Sequence, residues 1–279
     1  LYIVGENPAV SEADFTRVRR ALRKLDLLVV QDVFMTRTAR YAHYVLPASA
    51  FCEKEGSYMN SERRIQWSHK VCEPYADSKP DWEILAMLGR ALGLPGFTYA
   101  GVEEITAEYF RLFPELEERS VDELKNGEGI FLPRKRLHTW EFATPDGKAR
   151  FMAVERISPW EGPSEEFPLV LTTVRLMSHY NTGEMTLRSP SLVKLMGEPR
   201  ALINERDAER LGIRDGDWVE IETRRGRIRM RAKVGGVPKG VVAIPFHFKA
   251  NLITSPALNK AGTPEFKFSA CRVKKMKAP

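Results

Sequence analysis

Thiols are scarce in this chain: 279 residues carry three cysteines, Cys52, Cys72 and Cys271, none of them in a C-x-x-C pair. That suits a reducing compartment rather than a disulfide scaffold. It also falls short of the four thiolates an iron–sulfur cluster takes, so no cluster ligated by this chain is expected. No apolar run approaches the roughly 20 residues of a membrane helix, and no basic-then-apolar leader precedes the first strand. A soluble, cytoplasmic protein without a membrane span is the expectation. The G-x-G-x-x-G of nicotinamide enzymes, H-E-x-x-H and the nucleophile elbow are all missing. His43, His69, His138, His179 and His247 fall in separate segments, so no self-sufficient catalytic or metal-ligating set is read. The chain starts with Leu1 inside an expected strand, from which a fragment or a processed piece is expected.

What is present is enough apolar residue, 43%, for two domains with real cores, since a single core stops growing near ~250 residues. The net charge of +6 and isoelectric point of about 9.2 favour a polyanionic partner. Cofactor phosphates satisfy that as well as RNA does. The sharpest basic clusters are Arg224-Arg225-Gly226-Arg227 with Arg229 and Arg231, and Lys274-Lys275-Met276-Lys277. Most such runs are solvated faces.

The first third alternates strand and helix. Leu1–Val4 is followed by Gly5-Glu6-Asn7-Pro8, and Ser11 with Asp14 predicts a capped helix to about Lys24. Leu25–Gln31 reads as a strand buried on both faces, with Asp32 at its carboxyl end. A short helix around Thr36–Tyr41 leads to a third strand, His43–Leu46. This β-α-β-α-β order predicts a doubly wound parallel sheet, whose ligands lie beyond the carboxyl strand ends. The loops Gly5–Pro8, Gln31–Thr36 and Pro47–Ser49 qualify. Asp32 could pair with the N1–H and exocyclic amine of guanine, or cap the following turn.

Glu53–Glu73 lacks apolar periodicity and reads as an excursion from the sheet. Asp81 is expected to cap a helix over Trp82–Leu92 that ends at Gly93. Helices are also expected over Gly101–Phe113 and Pro114–Leu124, before Pro133 and Arg134-Lys135-Arg136 break the pattern. Pro159–Glu166 reads as a linker. Beyond it the chain turns mostly β: strand Leu169–Thr172, helix Glu205–Leu211 behind Asn204, strands Trp218–Thr223, Ile228–Val234 and Val241–Pro245, and a last strand Phe266–Val273.

The segment Leu169–Pro190 runs a short apolar strand into a loop dense with donors and acceptors: Thr172, Thr173, Arg175, Ser178, His179, Tyr180, Asn181 and Thr182. A ligand-holding loop and a solvated, self-capped loop both fit that composition.

In this segment TTVR, HYNTGEMT and LRSP resemble a run in the molybdopterin-dependent formate dehydrogenases. Leu187 stands where those proteins commonly have arginine, and Glu184 where they have threonine. GENP, VVQDVFMTRTA, YVLPASAFCEKEGSYMNSERRIQ and PDWEIL follow the same pattern in order. GTPEFKFSACRV matches near the end, with Phe266 and Phe268 in place of tyrosines. The resemblance covers nearly all of this chain but only the C-terminal part of the catalytic subunit.

The resemblance implies an α/β doubly wound Rossmann-like segment over 1–158, partial and with an excursion near 53–80, and a six-stranded double-psi β-barrel over 167–279. It implies a bis-molybdopterin guanine dinucleotide with molybdenum or tungsten, shared with an N-terminal half that holds the iron–sulfur cluster and the catalytic residues. Electron-transfer subunits are implied partners. The implied cofactor-binding positions are Gly5, Glu6, Asn7, Gln31, Asp32, Thr36, Thr173, Arg175, His179, Thr182 and Lys267: Asp32 on guanine with Thr36 nearby, Arg175 and Lys267 neutralising phosphate or pterin charge, His179 and Thr182 hydrogen-bonding the pterin. Glu62, Arg63 and Arg64 are implied to contact the cluster-bearing domain, or else form a surface ion-pair set. The alternatives are a relative with another substrate, a respiratory-complex subunit, and a basic nucleotide- or RNA-binding module.

Overall fold

The computed structural model describes residues 1–127, 129–132, 142, 144–153 and 158–277. The expected break at Pro133, the basic Arg134-Lys135-Arg136 and His138 lie outside them. By contact the chain forms two compact units, Leu1–Val45 with Ile157–Pro279, and Leu46–Arg156. This grouping differs from the expected division at 158–167, because the opening strands pack with the barrel's unit.

β1 (Tyr2–Val4) pairs in parallel with β2 (Val29–Asp32), Ile3 opposite Val30, and β3 (Tyr44–Pro47) completes a sheet in the order β1-β2-β3. Ile3, Leu22, Leu28 and Val30 form its core with Ala9 and Ala39. Ser11 ends the short helix α1 (Pro8–Ser11) instead of capping a long one, and α2 (Phe15–Leu22) opens after Asp14 in the left-handed region at φ +47°. The strand expected over Leu25–Gln31 begins four residues later, since Leu28 bonds His43 on both sides, N–H to Nδ1 at 2.9 Å and carbonyl to N–H at 2.8 Å.

In the second unit the expected excursion is a hairpin. β4 (Gly56–Met59) and β5 (Arg64–Ser68) pair antiparallel, and β6 (Ile130–Phe131) extends the sheet. Helices α3 (Asp81–Ala91), α4 (Val102–Arg111) and α5 (Val121–Asn126) accompany it. Asp81 is the first residue of its helix, one position past the N-cap Pro80, whereas Ser120 caps α5 by accepting the Glu123 N–H. Ile65, Phe110, Leu116, Leu124 and Ile130 make the core.

The remainder is a closed six-stranded barrel of β7 (Leu169–Val174), β8 (Arg200–Ile203), β9 (Trp218–Thr223), β10 (Gly226–Val234), β11 (Val241–Pro245) and β12 (Ser269–Lys275), in the order β10-β8-β11-β7-β12-β9. Two pairings are parallel, β7 with β11 and β8 with β10, and the other four are antiparallel. Exchanging the first three strands with the last three leaves this pattern unchanged, which is the pseudo-two-fold symmetry of the double-psi barrel. Along β7 and β9 every second residue is buried, as a filled small barrel requires. Helix α6 (Pro190–Met196) and strand β8, neither foreseen in the sequence, precede α7 (Glu205–Arg210), where Asn204 caps as expected by accepting the Arg206 N–H at 3.0 Å.

The segment read as a linker is fastened to the barrel. Glu161 takes Arg225 in two bonds, 2.7 and 2.8 Å, and accepts the Ala270 N–H at 2.9 Å. No helix among the described residues is long and apolar enough to cross a membrane.

Candidate functional site

Three loops, each leaving the carboxyl end of a strand, meet in a cleft of about 370 Å³ within the first unit. They are Gly5–Asn7 after β1, Asp32–Thr36 after β2, and Tyr180–Thr186 beyond β7. The first two leave the parallel strands β1 and β2 on one side of their sheet, where ligands gather in such folds, and the third comes from the barrel.

Asn7, 5% exposed, ties the loops together. Its Oδ1 accepts both the N–H and the hydroxyl of Thr38, at 3.1 and 2.8 Å, and its Nδ2 donates to Glu184 at 3.3 Å. Glu184 in turn holds Arg188 at 2.9 Å, whose guanidinium lies 4.5 Å over the Phe34 ring. From the barrel side Asn251 donates its amide to the Ser11 carbonyl.

Of the positions picked out in the sequence, Gly5, Glu6, Asn7, Asp32, Thr36 and Thr182 line this cleft. Gly5 sits at φ +61° with open space where a Cβ would be. Asp32 accepts the Phe34 N–H at 3.1 Å, so the turn-capping reading is realised, and the residue also lines the cleft. The Thr36 hydroxyl accepts the Ala39 N–H at 3.2 Å. Gln31 is fully buried behind the wall, bonded by the Tyr2 hydroxyl. Thr173 and Lys267 are joined to each other, the ammonium donating to the Thr173 carbonyl at 2.6 Å, and neither lines the cleft.

Arg175 and His179 also stand outside the lining. Arg175 is exposed, lies 5.6 Å over the Phe246 ring, and has no hydrogen bond or ion pair among the described residues. His179 is buried, its Nδ1 2.9 Å from the Thr186 hydroxyl, while its Nε2 is buried without any partner. A buried polar atom left open costs about 1–3 kcal/mol, so it marks a place where a bonding group belongs.

Tyr180 and Asn181, read in the sequence only as part of the donor-rich loop, also line the cleft, and the residues missed in the sequence are Val33, Phe34, Glu184, Met185 and Thr186. Glu184 was noted only as a departure from a pattern. The lining set carries three carboxylates, Glu6, Asp32 and Glu184, and no arginine or lysine. It therefore suits a ligand edge rich in N–H donors better than it suits a phosphate.

Each arginine of the basic hairpin has a carboxylate partner. Arg224 and Arg225 share Glu161, Arg227 and Arg229 share Glu220, and Arg231 pairs with Glu198 at 3.5 Å. Among the described residues no three His, Cys, Asp or Glu side chains gather as a metal site. A second cavity, of about 430 Å³, lies in the second unit, where Lys54, Glu55, Asp81 and Thr106 line it together with Tyr58, Ile65, Val102 and Ile105.

Residues 1–91 match the family described as Molybdopterin oxidoreductase, and residues 169–270 the Molydopterin dinucleotide binding domain. The chain is 39% identical to the F420-dependent formate dehydrogenase subunit alpha of Methanocaldococcus jannaschii, over 99% of this chain and 43% of that protein. It is 34% identical to formate dehydrogenase H of Escherichia coli, over 98% of this chain and 40% of that protein. A nitrate reductase of Symbiobacterium thermophilum is also 34% identical, over 99% and 41%. The chain thus spans less than half the length of these relatives. Among solved structures, acetylene hydratase from Pelobacter acetylenicus superimposes with a TM-score of 0.78 at 20% identity, covering 99% of this chain and 44% of that one, a likeness of fold. With its opening strands and its barrel each matched in this way, the chain belongs to the molybdopterin oxidoreductase family.

Proposed function

We propose that this chain is the cofactor-holding C-terminal part of a formate dehydrogenase catalytic subunit, and that its cleft receives the guanine end of a molybdopterin guanine dinucleotide. The observation that carries the reading is the convergence of Gly5–Asn7, Asp32–Thr36 and Tyr180–Thr186, from both family-matched segments, on one acceptor-rich cleft. Guanine offers a ring N–H beside an exocyclic amine, and the Asp32 carboxyl can accept both. Thr36 and Thr182 add hydroxyls to the same wall. On this reading the Arg175 guanidinium, without an ion pair among the described residues, and the open His179 Nε2 serve the charged and pterin portions. Lys267 supports Thr173 and adds positive charge on that side.

When bound, the metal–pterin group supplies an acceptor for the two electrons and the proton released as formate becomes carbon dioxide. This chain's residues bind and orient it: carboxylates select the base, Arg175 balances anionic charge, and His179 offers one directed hydrogen bond. Molybdenum and tungsten both suit such a site. The iron–sulfur cluster and the electron-transfer partners belong, on this reading, to the rest of the subunit and its assembly in the cytoplasm.

The nitrate reductase match favours a second reading, in which the same cofactor serves nitrate. The complete enzyme decides. We expect acid hydrolysis to release guanine nucleotide and a viologen dye to be reduced with formate. Oxidation of reduced dye by nitrate, with no formate activity, would transfer the assignment to nitrate, and a preparation free of guanine nucleotide would overturn the cleft's role.

A further inference from the structure

We propose that His247 is a positioning residue, a two-ended clamp that closes the loop Leu176–Asn181 and thereby sets His179 and the wall beginning at Tyr180. What the cleft holds rests on the functional reading above, whereas the clamp stands on geometry. His247 is 2% exposed, just past the end of β11 and between Phe246 and Phe248. Its Nε2 accepts the Leu176 N–H at 3.1 Å, so that nitrogen carries no proton. Its Nδ1 meets the Asn181 carbonyl, so that nitrogen carries the proton. One neutral tautomer thus bonds the main chain at two points five residues apart.

Between those points the chain reverses. The His179 N–H returns to the Leu176 carbonyl at 3.1 Å, and Asn181 and Gly183 take positive φ, +44° and +77°. The two imidazoles pack with centroids 5.7 Å apart, and Phe248 meets His179 edge-on at 5.8 Å. The clamp therefore fixes where the open His179 Nε2 points.

The clamp works in one protonation state. A proton on Nε2 would set a donor against the Leu176 N–H. Burial first, then the neighbouring His179 and Arg175, push the His247 pKa below its usual 6.5, against the opposing pull of the Asn181 carbonyl. The clamp is closed at neutral pH and opens as pH falls through that lowered value.

The test uses the complete enzyme, with His247→Ala and the half-clamps His247→Gln, which offers an acceptor where Nε2 stands, and His247→Asn, which offers a donor where Nδ1 stands. Three quantities are read: amide exchange at Leu176, the rate of guanine nucleotide loss, and the pH profile of that loss. We expect His247→Ala to speed both exchange and nucleotide loss about tenfold, the size of one lost hydrogen bond. His247→Gln should restore protection at Leu176, and His247→Asn should not. The parent should release nucleotide faster below pH 6.5, and His247→Gln should lack that acid limb. Unchanged exchange at Leu176 in both His247→Ala and His247→Asn overturns the clamp. Altered exchange with parental nucleotide loss and pH profile overturns the positioning role. A parent enzyme without guanine nucleotide would sink the functional reading, leaving the clamp to be decided by exchange at Leu176 alone.

Discussion

Asp32 has two roles on this reading: its carboxyl holds the Phe34 N–H, and the residue lines the cleft proposed for the base. Asp32→Asn keeps the first role, because an amide oxygen still accepts, and spoils the second, because the amide nitrogen meets a donor edge. We expect near-parental thermal unfolding and guanine retention weakened by about 1–3 kcal/mol in the assembled enzyme; equal nucleotide content in mutant and parent would count against the assignment. Arg175→Lys poses a complementary question. The native side chain is exposed and stacked on Phe246 but not hydrogen-bonded, so stability should change by no more than ~1 kcal/mol. A lysine cannot reproduce the planar fork of donors, so pterin content and formate turnover should fall; a lower melting temperature with normal pterin content would make Arg175 structural. The sequence exposed these two residues by type and by neighbourhood. It could not expose Glu184 or His247, whose importance comes from partners 177 and 71 residues away.

At the scale of elements, local pattern was a good guide wherever local forces decide. Strand β9 follows from alternation, β11 from an unbroken apolar run, and the Asn204 cap from capping chemistry. The hairpin β4–β5 escaped because its burial is uneven, one buried residue at each of Gly56 and Ile65 amid polar neighbours. Strand β8 escaped because four residues are too few to show a period. The supposed linker escaped because Pro and Gly punctuate chain direction without revealing what a single glutamate reaches. Burial alone would raise the Glu161 pKa, but Arg225, the Ala270 N–H and Arg224 outweigh it and hold the carboxyl below its usual 4.5. A depressed carboxyl stabilises the fold above its unfolded pKa and loses that contribution as pH falls through the folded value. Glu161→Gln should therefore cost about 3 kcal/mol at neutral pH and flatten the acid limb of stability below pH 4.5. Parallel stability–pH curves for mutant and parent below that pH would refute the anchor.

For the molecule as a whole, the barrel's core draws, among the described residues, on positions between Leu169 and Val273, so residues 158–277 alone should unfold in one cooperative transition with a β-type circular dichroism spectrum. They should not retain guanine nucleotide, because the loops after β1 and β2 are then missing; retention by the isolated barrel would show the base is held elsewhere. Fold class and cofactor family were legible because motifs repeat in order along the chain, while the cleft was not, since it forms only when distant segments meet. The bond from Asn7 to Glu184 spans 177 residues. At roughly 5–20 residues per second of synthesis, the first loop waits about 10–35 s on the ribosome before its partner exists. The early strands must therefore emerge with one wall of their pocket open, and any cofactor that needs both walls is loaded after translation has passed the barrel's first strand, not alongside the sheet that begins the site.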